Sequence, residues 1–135
     1  MARIIGSIVA GWAAFLVLGW LSSLLVLQVW PAYSAVYPER AFTLSMQLTR
    51  LGVGAGLVIV AGWTVSAISR QNRQAVLWCA ILPLIETVWV HLHEPTWSHY
   101  PPWYHFVTFC IPVPCALLGA LLHRVQFGRR DRNAG

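Results

Sequence analysis

Apolar residues fall in four long runs separated by short polar stretches. The first runs from Ile4 to about Trp30 and stops at Pro31. The second covers about Ala41 to Ile68 and is most apolar from Leu51 onward. The third covers Ala75 to about Val90, and the fourth about Trp103 to Leu122. An α-helix rises about 1.5 Å per residue, so about 20 residues cross a hydrocarbon core roughly 30 Å thick. Runs one, two and four reach that length. Run three does so only if its helix continues through His91–His93. The pattern predicts an all-α fold, a four-transmembrane-helix bundle occupying residues 1–125 as a single domain. A polar cytoplasmic tail follows at 126–135. The first run is about twice the usual apolar length of a cleaved signal, so it reads as a retained helix.

Composition agrees with lipid as the solvent. Of 135 residues, 58% are hydrophobic and 10% charged, against roughly 25% charged in soluble domains. So little polar material cannot clothe a small soluble core.

The net charge of +5 comes from nine basic residues, all arginine. They sit at the ends of apolar runs, a pattern of membrane orientation and not of a nucleic-acid surface. With the N-terminus inside, Arg3, Arg70, Arg73, Arg124, Arg129, Arg130 and Arg132 lie on the inner side. Arg40 and Arg50 lie on the outer side. This bias places both termini in the cytoplasm, across a bacterial inner membrane. The expected partners are the bilayer and either a second copy of the chain or a larger membrane protein, with no nucleic acid.

Small residues offer packing faces, because helices in lipid associate by close approach. Gly52 and Gly56 form a G-x-x-x-G, Gly19 and Ser23 a small pair in the first run, and Cys115 and Gly119 another in the fourth. Cys79, Cys110 and Cys115 all lie in apolar runs without C-x-x-C spacing, so they read as small core residues.

Two ionisable residues fall within apolar runs, Arg50 and Glu86. Charge at bilayer depth is costly and normally faces protein. Thr43, Gln47, Arg50 and Gly54 share one helical stripe, and Glu86, Trp89 and His93 another. Packed together, the stripes would bring Gln47, Arg50, Glu86 and His93 into one intramembrane polar cluster. It would serve either as a register-fixing ion pair or as a proton or ligand site.

The stretch His91–His105, HLHEPTWSHYPPWYH, holds four of five histidines. His91, His93, His99 and His105 are candidate metal or haem ligands, with His93 and His105 the pair able to face each other across two helix ends. Their spacing lacks the i, i+4 pattern of a helical zinc site. Trp97, Tyr100, Trp103 and Tyr104 read as an interfacial aromatic belt, joined by Trp30, Tyr33 and Tyr37 from the first outer loop. Pro101-Pro102 sets a turn, while Pro83, Pro112 and Pro114 are expected to bend helices three and four. His123, beside Arg124, is expected at the inner interface. No nucleophile triad or phosphate loop is present, so no enzymatic activity and no cofactor are expected.

The segment PPWYHFVTFCIPVPCALLGALLHR, Pro101 to Arg124, resembles the last helix of a loose group of small four-helix bacterial membrane proteins. The matching positions are Pro101, Trp103, Tyr104, His105, Pro114, Gly119 and Arg124. The resemblance covers about one fifth of the chain and implies the class without an activity. The expected function is thus a structural or accessory multi-pass membrane protein. The alternatives are a small proton- or ion-coupled transporter using Glu86 and Arg50, or an outer-face metal or haem protein using His93 and His105.

Overall fold

The computed structural model describes residues 1–93 and 96–127, with His93 and Thr96 described by their backbone alone. Glu94, Pro95 and residues 128–135 lie outside the described residues. Most of the polar tail and three of its arginines therefore fall outside this account. Among the described residues every element is helical: α1 (Ala2–Val29), α2 (Pro31–Val36), α3 (Leu44–Ser69), α4 (Arg73–His93), α5 (Thr96–His99), α6 (Pro102–Cys110) and α7 (Pro112–Phe127). Four segments are long and apolar enough to cross a membrane: Ala2–Val29, Leu44–Ser69, Arg73–Leu92 and Pro102–Phe127. The third does continue past Val90.

Local chemistry sets the boundaries. Pro31 occupies the first turn of α2, where its missing N–H costs nothing. That short helix takes up part of what reads in sequence as a loop. Thr43 caps α3, its hydroxyl accepting from the Met46 N–H at 3.4 Å. The connection between α3 and α4 is tight, with Arg70 and Gln71 both at positive φ. The Gln71 N–H returns to the Ser66 carbonyl at 2.9 Å, and Asn72 caps α4 through Oδ1 and the Ala75 N–H at 3.1 Å. The fourth span divides at Ile111. Pro112 and Pro114 have no N–H, so two rungs of the helical ladder are missing there. Helical bonds still flank the break, from Ile111 N–H to the Val107 carbonyl and from Cys115 N–H to the Ile111 carbonyl.

The start of α1 and the end of α7 lie at one end of the bundle, the terminal end. Arg3 Nε donates to the Ile68 carbonyl at 2.6 Å, and Trp63 Nε1 to Gln126 Oε1 at 3.1 Å. His123 packs at this end against Trp63 and Phe127, with Nδ1 at 3.4 Å from Ser66 Oγ. The opposite, far end is built from α2, α5 and the start of α6.

The central helix is α3, which packs against α7, α1 and α4. Its terminal half joins a core of small residues: Val58, Ala61, Val65, Ala75, Val76, Cys79, Ala80 and Ala116. The three cysteines are unpaired. Backbone closeness explains the small sizes. A Cβ on Gly62 would overlap the Ala116 backbone, at 2.7 Å from its Cα, and one on Gly119 would lie 2.8 Å from the Trp63 nitrogen. Gly11 of α1 similarly admits Val65 and Cys79.

The G-x-x-x-G expected to pack within the bundle behaves differently. A Cβ on Gly52 or Gly56 would meet nothing within 4 Å, and both glycines are exposed. The register of α3 turns Gly62 inward and carries Gly52 and Gly56 to the outer surface, beside exposed Leu48 and Val60.

Gly62→Ala or Gly119→Ala should therefore overpack the α3–α7 contact and cost about 1–3 kcal/mol. Gly52→Ala and Gly56→Ala should be neutral, or stabilising by up to about 1 kcal/mol through helix propensity. Thermal unfolding midpoints in detergent measure all four. Equal losses at all four positions would refute the assigned packing.

Candidate functional site

The helical register of α3 places Arg50 six residues from its far end, roughly 9 Å inward. Four aromatic residues from separate segments surround the guanidinium. Its Nη1 donates to the Tyr33 hydroxyl from α2. The Phe42 ring lies 5.0 Å from Cζ and the Tyr100 ring 6.0 Å, distances at which a cation is attracted to an aromatic face. Tyr104 of α6 also acts on it electrostatically. The rings form one continuous stack. Tyr33 lies on Phe42 with centroids 5.0 Å apart, Phe42 on Tyr100 at 5.9 Å, and Tyr100 on Tyr104 at 4.5 Å. Phe42, Tyr100 and the rest of this cluster, with Met46, are the buried core of the far end.

Among the described residues no counter-charge meets Arg50. The side chains around it are aromatic, Tyr33, Phe42, Tyr100 and Tyr104, and none of them is a carboxylate. Its Nε is buried without a hydrogen-bond partner. The expected cluster forms only in part. Gln47 is buried on the same helix, but its amide donates to the Phe42 carbonyl at 3.1 Å and braces the cage. Glu86 faces the same cavity as Arg50 yet makes no ion pair or hydrogen bond among the described residues. The His93 side chain lies outside the described residues.

Three cavities meet at Arg50 and Tyr104. A cavity of about 410 Å³ opens to the side between α1 and α3, with Glu86 on its α4 wall. A second, of about 280 Å³, lies toward the far end and is bordered by Arg40, His91 and Tyr100. A third, of about 90 Å³, reaches inward to Pro83 and Pro112, where missing proline N–H groups leave the helices less tightly bonded.

The histidine-rich stretch resolves differently from its sequence reading. The pair brought together is His91 and His105, with ring centroids 4.9 Å apart, both buried. Each anchors one nitrogen on a backbone carbonyl. His91 Nδ1–H donates to Thr87 O at 2.7 Å, and His105 Nε2–H to Tyr100 O at 3.2 Å and Trp97 O at 3.3 Å. Carbonyls only accept, so these bonds define the neutral tautomers. The other nitrogens, His91 Nε2 and His105 Nδ1, are buried and unpartnered. His99 ends α5 with an exposed ring, its Nδ1 3.4 Å from Ser98 Oγ. Among the described residues, no group of three or more metal-ligating side chains assembles.

Sequence reasoning missed the inward role of the tyrosines. Tyr33, Tyr100 and Tyr104 are buried, while Trp97 and Trp103 remain exposed as belt residues. One signal was present: a proline-initiated PAYSAV segment can form a short helix that turns Tyr33 back toward the bundle.

Among the described residues, fold and site together define a small all-helical protein with four helices long and apolar enough to cross a membrane and a guanidinium caged by aromatic rings near one end. Comparison with protein-family models, with curated proteins and with solved structures finds no match to this chain.

Burial pushes the Tyr100 phenol up to about 12, against an opposing pull from the Arg50 guanidinium. An unfolded tyrosine ionises near pH 10, so the folded chain holds this proton more tightly. The associated stability is complete below pH 10 and is lost as pH rises toward 12. The thermal midpoint in detergent should fall across that window, and less steeply in Tyr100→Phe. An identical fall in the variant would exclude Tyr100 as its source.

Proposed function

We propose that this chain is a small multi-pass protein of the bacterial inner membrane, with both termini cytoplasmic. Its role is accessory and not enzymatic, and its working part is a binding site for an anionic group at Arg50. The four apolar spans support the membrane placement. The seven-to-two arginine distribution supports the orientation, with the terminal end inside and the far end outside. Tyr104 and His105, from the Pro-x-Trp-Tyr-His stretch that carries the resemblance, are both buried at the far end.

The observation that carries the binding role is the guanidinium caged by aromatic rings without a carboxylate. A structural arginine inside a bundle is ordinarily paired. Here the pair that would make it structural, Arg50 with Glu86, is absent among the described residues. A guanidinium offers five N–H donors in a planar fork. Tyr33 takes one of them. A phosphate or carboxylate entering either adjoining cavity would satisfy others in the bidentate geometry that favours arginine.

The test is native mass spectrometry of the whole chain in nonionic detergent, with phosphatidylglycerol as the anionic probe. Wild type should carry the lipid, and Arg50→Gln should hold it ten- to one-hundred-fold more weakly, as expected for lost charge-assisted bonds. Circular dichroism checks that the variant is helical. Undiminished binding by a folded Arg50→Gln chain overturns the reading.

One observation favours a second reading, metal binding. His91 and His105 each have a buried, unpartnered ring nitrogen while a backbone carbonyl holds the other, the arrangement in which neutral histidines ligate metals. Zinc added to purified protein should then bind at one equivalent, and His91→Ala with His105→Ala should abolish it. Uptake that survives the double substitution would assign the metal elsewhere.

A further inference from the structure

The cavity of about 410 Å³ has a composition that a simple anion site does not need. It carries Arg50 and Tyr33 on one side and the Glu86 carboxylate on another. On α4, Glu86 lies seven residues inside the end at His93, roughly 10 Å, a depth close to that of Arg50. Two opposite charges thus border one space at one level and do not touch. Neither figures among the electrostatic influences on the other. An anion alone would bring a second negative charge toward Glu86. A cation alone would approach Arg50. A ligand with one group of each sign satisfies both walls.

The rest of the cavity describes what such a ligand is attached to. Phe15, Leu16, Val53 and Leu57 line it beyond the charges. Leu57 lies seven residues past Arg50 on α3, roughly 10 Å deeper. Gly19 and Gly54 keep this part open. A Cβ on Gly54 would meet nothing within 4 Å, and one on Gly19 would meet only the Leu57 side chain at 3.6 Å. The cavity is only partly enclosed, and its α1 wall includes Trp20, which is exposed together with its neighbours Val17 and Leu21. An exposed apolar wall suits entry from the bilayer, and the volume is within the roughly 300–1,000 Å³ of small-ligand sites.

We infer that this cavity holds the headgroup of a zwitterionic aminophospholipid, with its phosphate on Arg50 and Tyr33, its primary ammonium on Glu86 and acyl carbons along Val53 and Leu57. This inference rests on the anion-binding reading of Arg50 and adds the identity of the ligand. A primary ammonium has N–H donors that a carboxylate can accept, whereas a quaternary ammonium has none. Glu86 therefore selects phosphatidylethanolamine over phosphatidylcholine, and its negative charge disfavours phosphatidylglycerol, which has the phosphate without the cation.

The experiment is competitive native mass spectrometry of the full chain in nonionic detergent with equimolar phosphatidylethanolamine, phosphatidylglycerol and phosphatidylcholine. Wild type should prefer phosphatidylethanolamine about tenfold over each of the others, the scale of a charge-assisted bond. Glu86→Gln should bring phosphatidylethanolamine and phosphatidylglycerol to near equality while still binding both. Glu86→Asp keeps the charge and should keep the order of preference. Arg50→Gln should weaken all three. A wild type without preference overturns the inference, as does a preference that survives Glu86→Gln. The anion reading stands in either case if Arg50→Gln still loses phosphatidylglycerol. Should Arg50→Gln bind all three lipids undiminished, both fall together.

Discussion

The positive charge of Arg50 sets the terms for the far half of this molecule. A guanidinium inside an apolar bundle is costly unless something compensates it. The compensation here is a stack of four rings and a phenol oxygen instead of a carboxylate. The faces of Phe42 and Tyr100 each contribute about 0.5–2 kcal/mol, depending on how dry the contact is. The consequence reaches beyond the site, because the rings arrive from four separate segments. Tyr33 comes from α2, Phe42 from the connection before α3, Tyr100 from the approach to α6, and Tyr104 from α6 itself. The cage that solvates the cation is therefore also the core that joins these segments.

The two halves of the bundle pack by different means, and the cavities around Arg50 lie in the aromatic half. Toward the terminal end α3 meets α7 and α1 through Gly62, Gly119 and Gly11, so backbones approach closely. Toward the far end the same helices are separated by aromatic rings. Helices held close at one end and propped apart at the other leave space between them. The three cavities that border Arg50 lie in that aromatic half, while another, of about 200 Å³, lies at the terminal end beside Ser66, Arg73 and Arg124. Pro83 and Pro112 enlarge this tendency, since each lacks the N–H that would tighten its turn.

Much of the architecture was legible in hydropathy. Four runs became four spans, and the third extended through the histidines because Arg73–His93 forms one continuous helix. The site was legible only by residue type. Arg50 and Glu86 stood out as charges in apolar runs, but which groups would answer them depended on loops that periodicity does not describe. A belt tyrosine and a cage tyrosine have the same neighbours in sequence. Tyr33, Tyr100 and Tyr104 differ from Trp97 and Trp103 only in where short helices and proline turns aim them. The G-x-x-x-G of Gly52 and Gly56 misled for a related reason. Small-residue spacing marks a face that permits close approach, while the register of the whole helix decides whether anything approaches it. Gly119, read in sequence as half of a small pair with Cys115, does carry a contact, and it meets Gly62's helix at a position no G-x-x-x-G marks.

The histidine-rich stretch has a structural task that explains half of its chemistry. His105 Nε2–H reaches back to the carbonyls of Trp97 and Tyr100 and stacks under Trp97 at 4.3 Å. This folds the segment before Pro101 down onto the start of α6. Tyr100 is thereby laid on Tyr104, which completes the outer wall of the arginine cage. His91 instead ties its ring to its own helix through the Thr87 carbonyl, and that ring meets His105 edge to face. One nitrogen of each imidazole is thus committed to scaffolding. A role in positioning alone would be met equally by a side chain with a single donor. That both positions instead hold imidazoles, each with a second nitrogen directed into the interior and unpartnered, means the pair retains a basic capacity that the cage does not use.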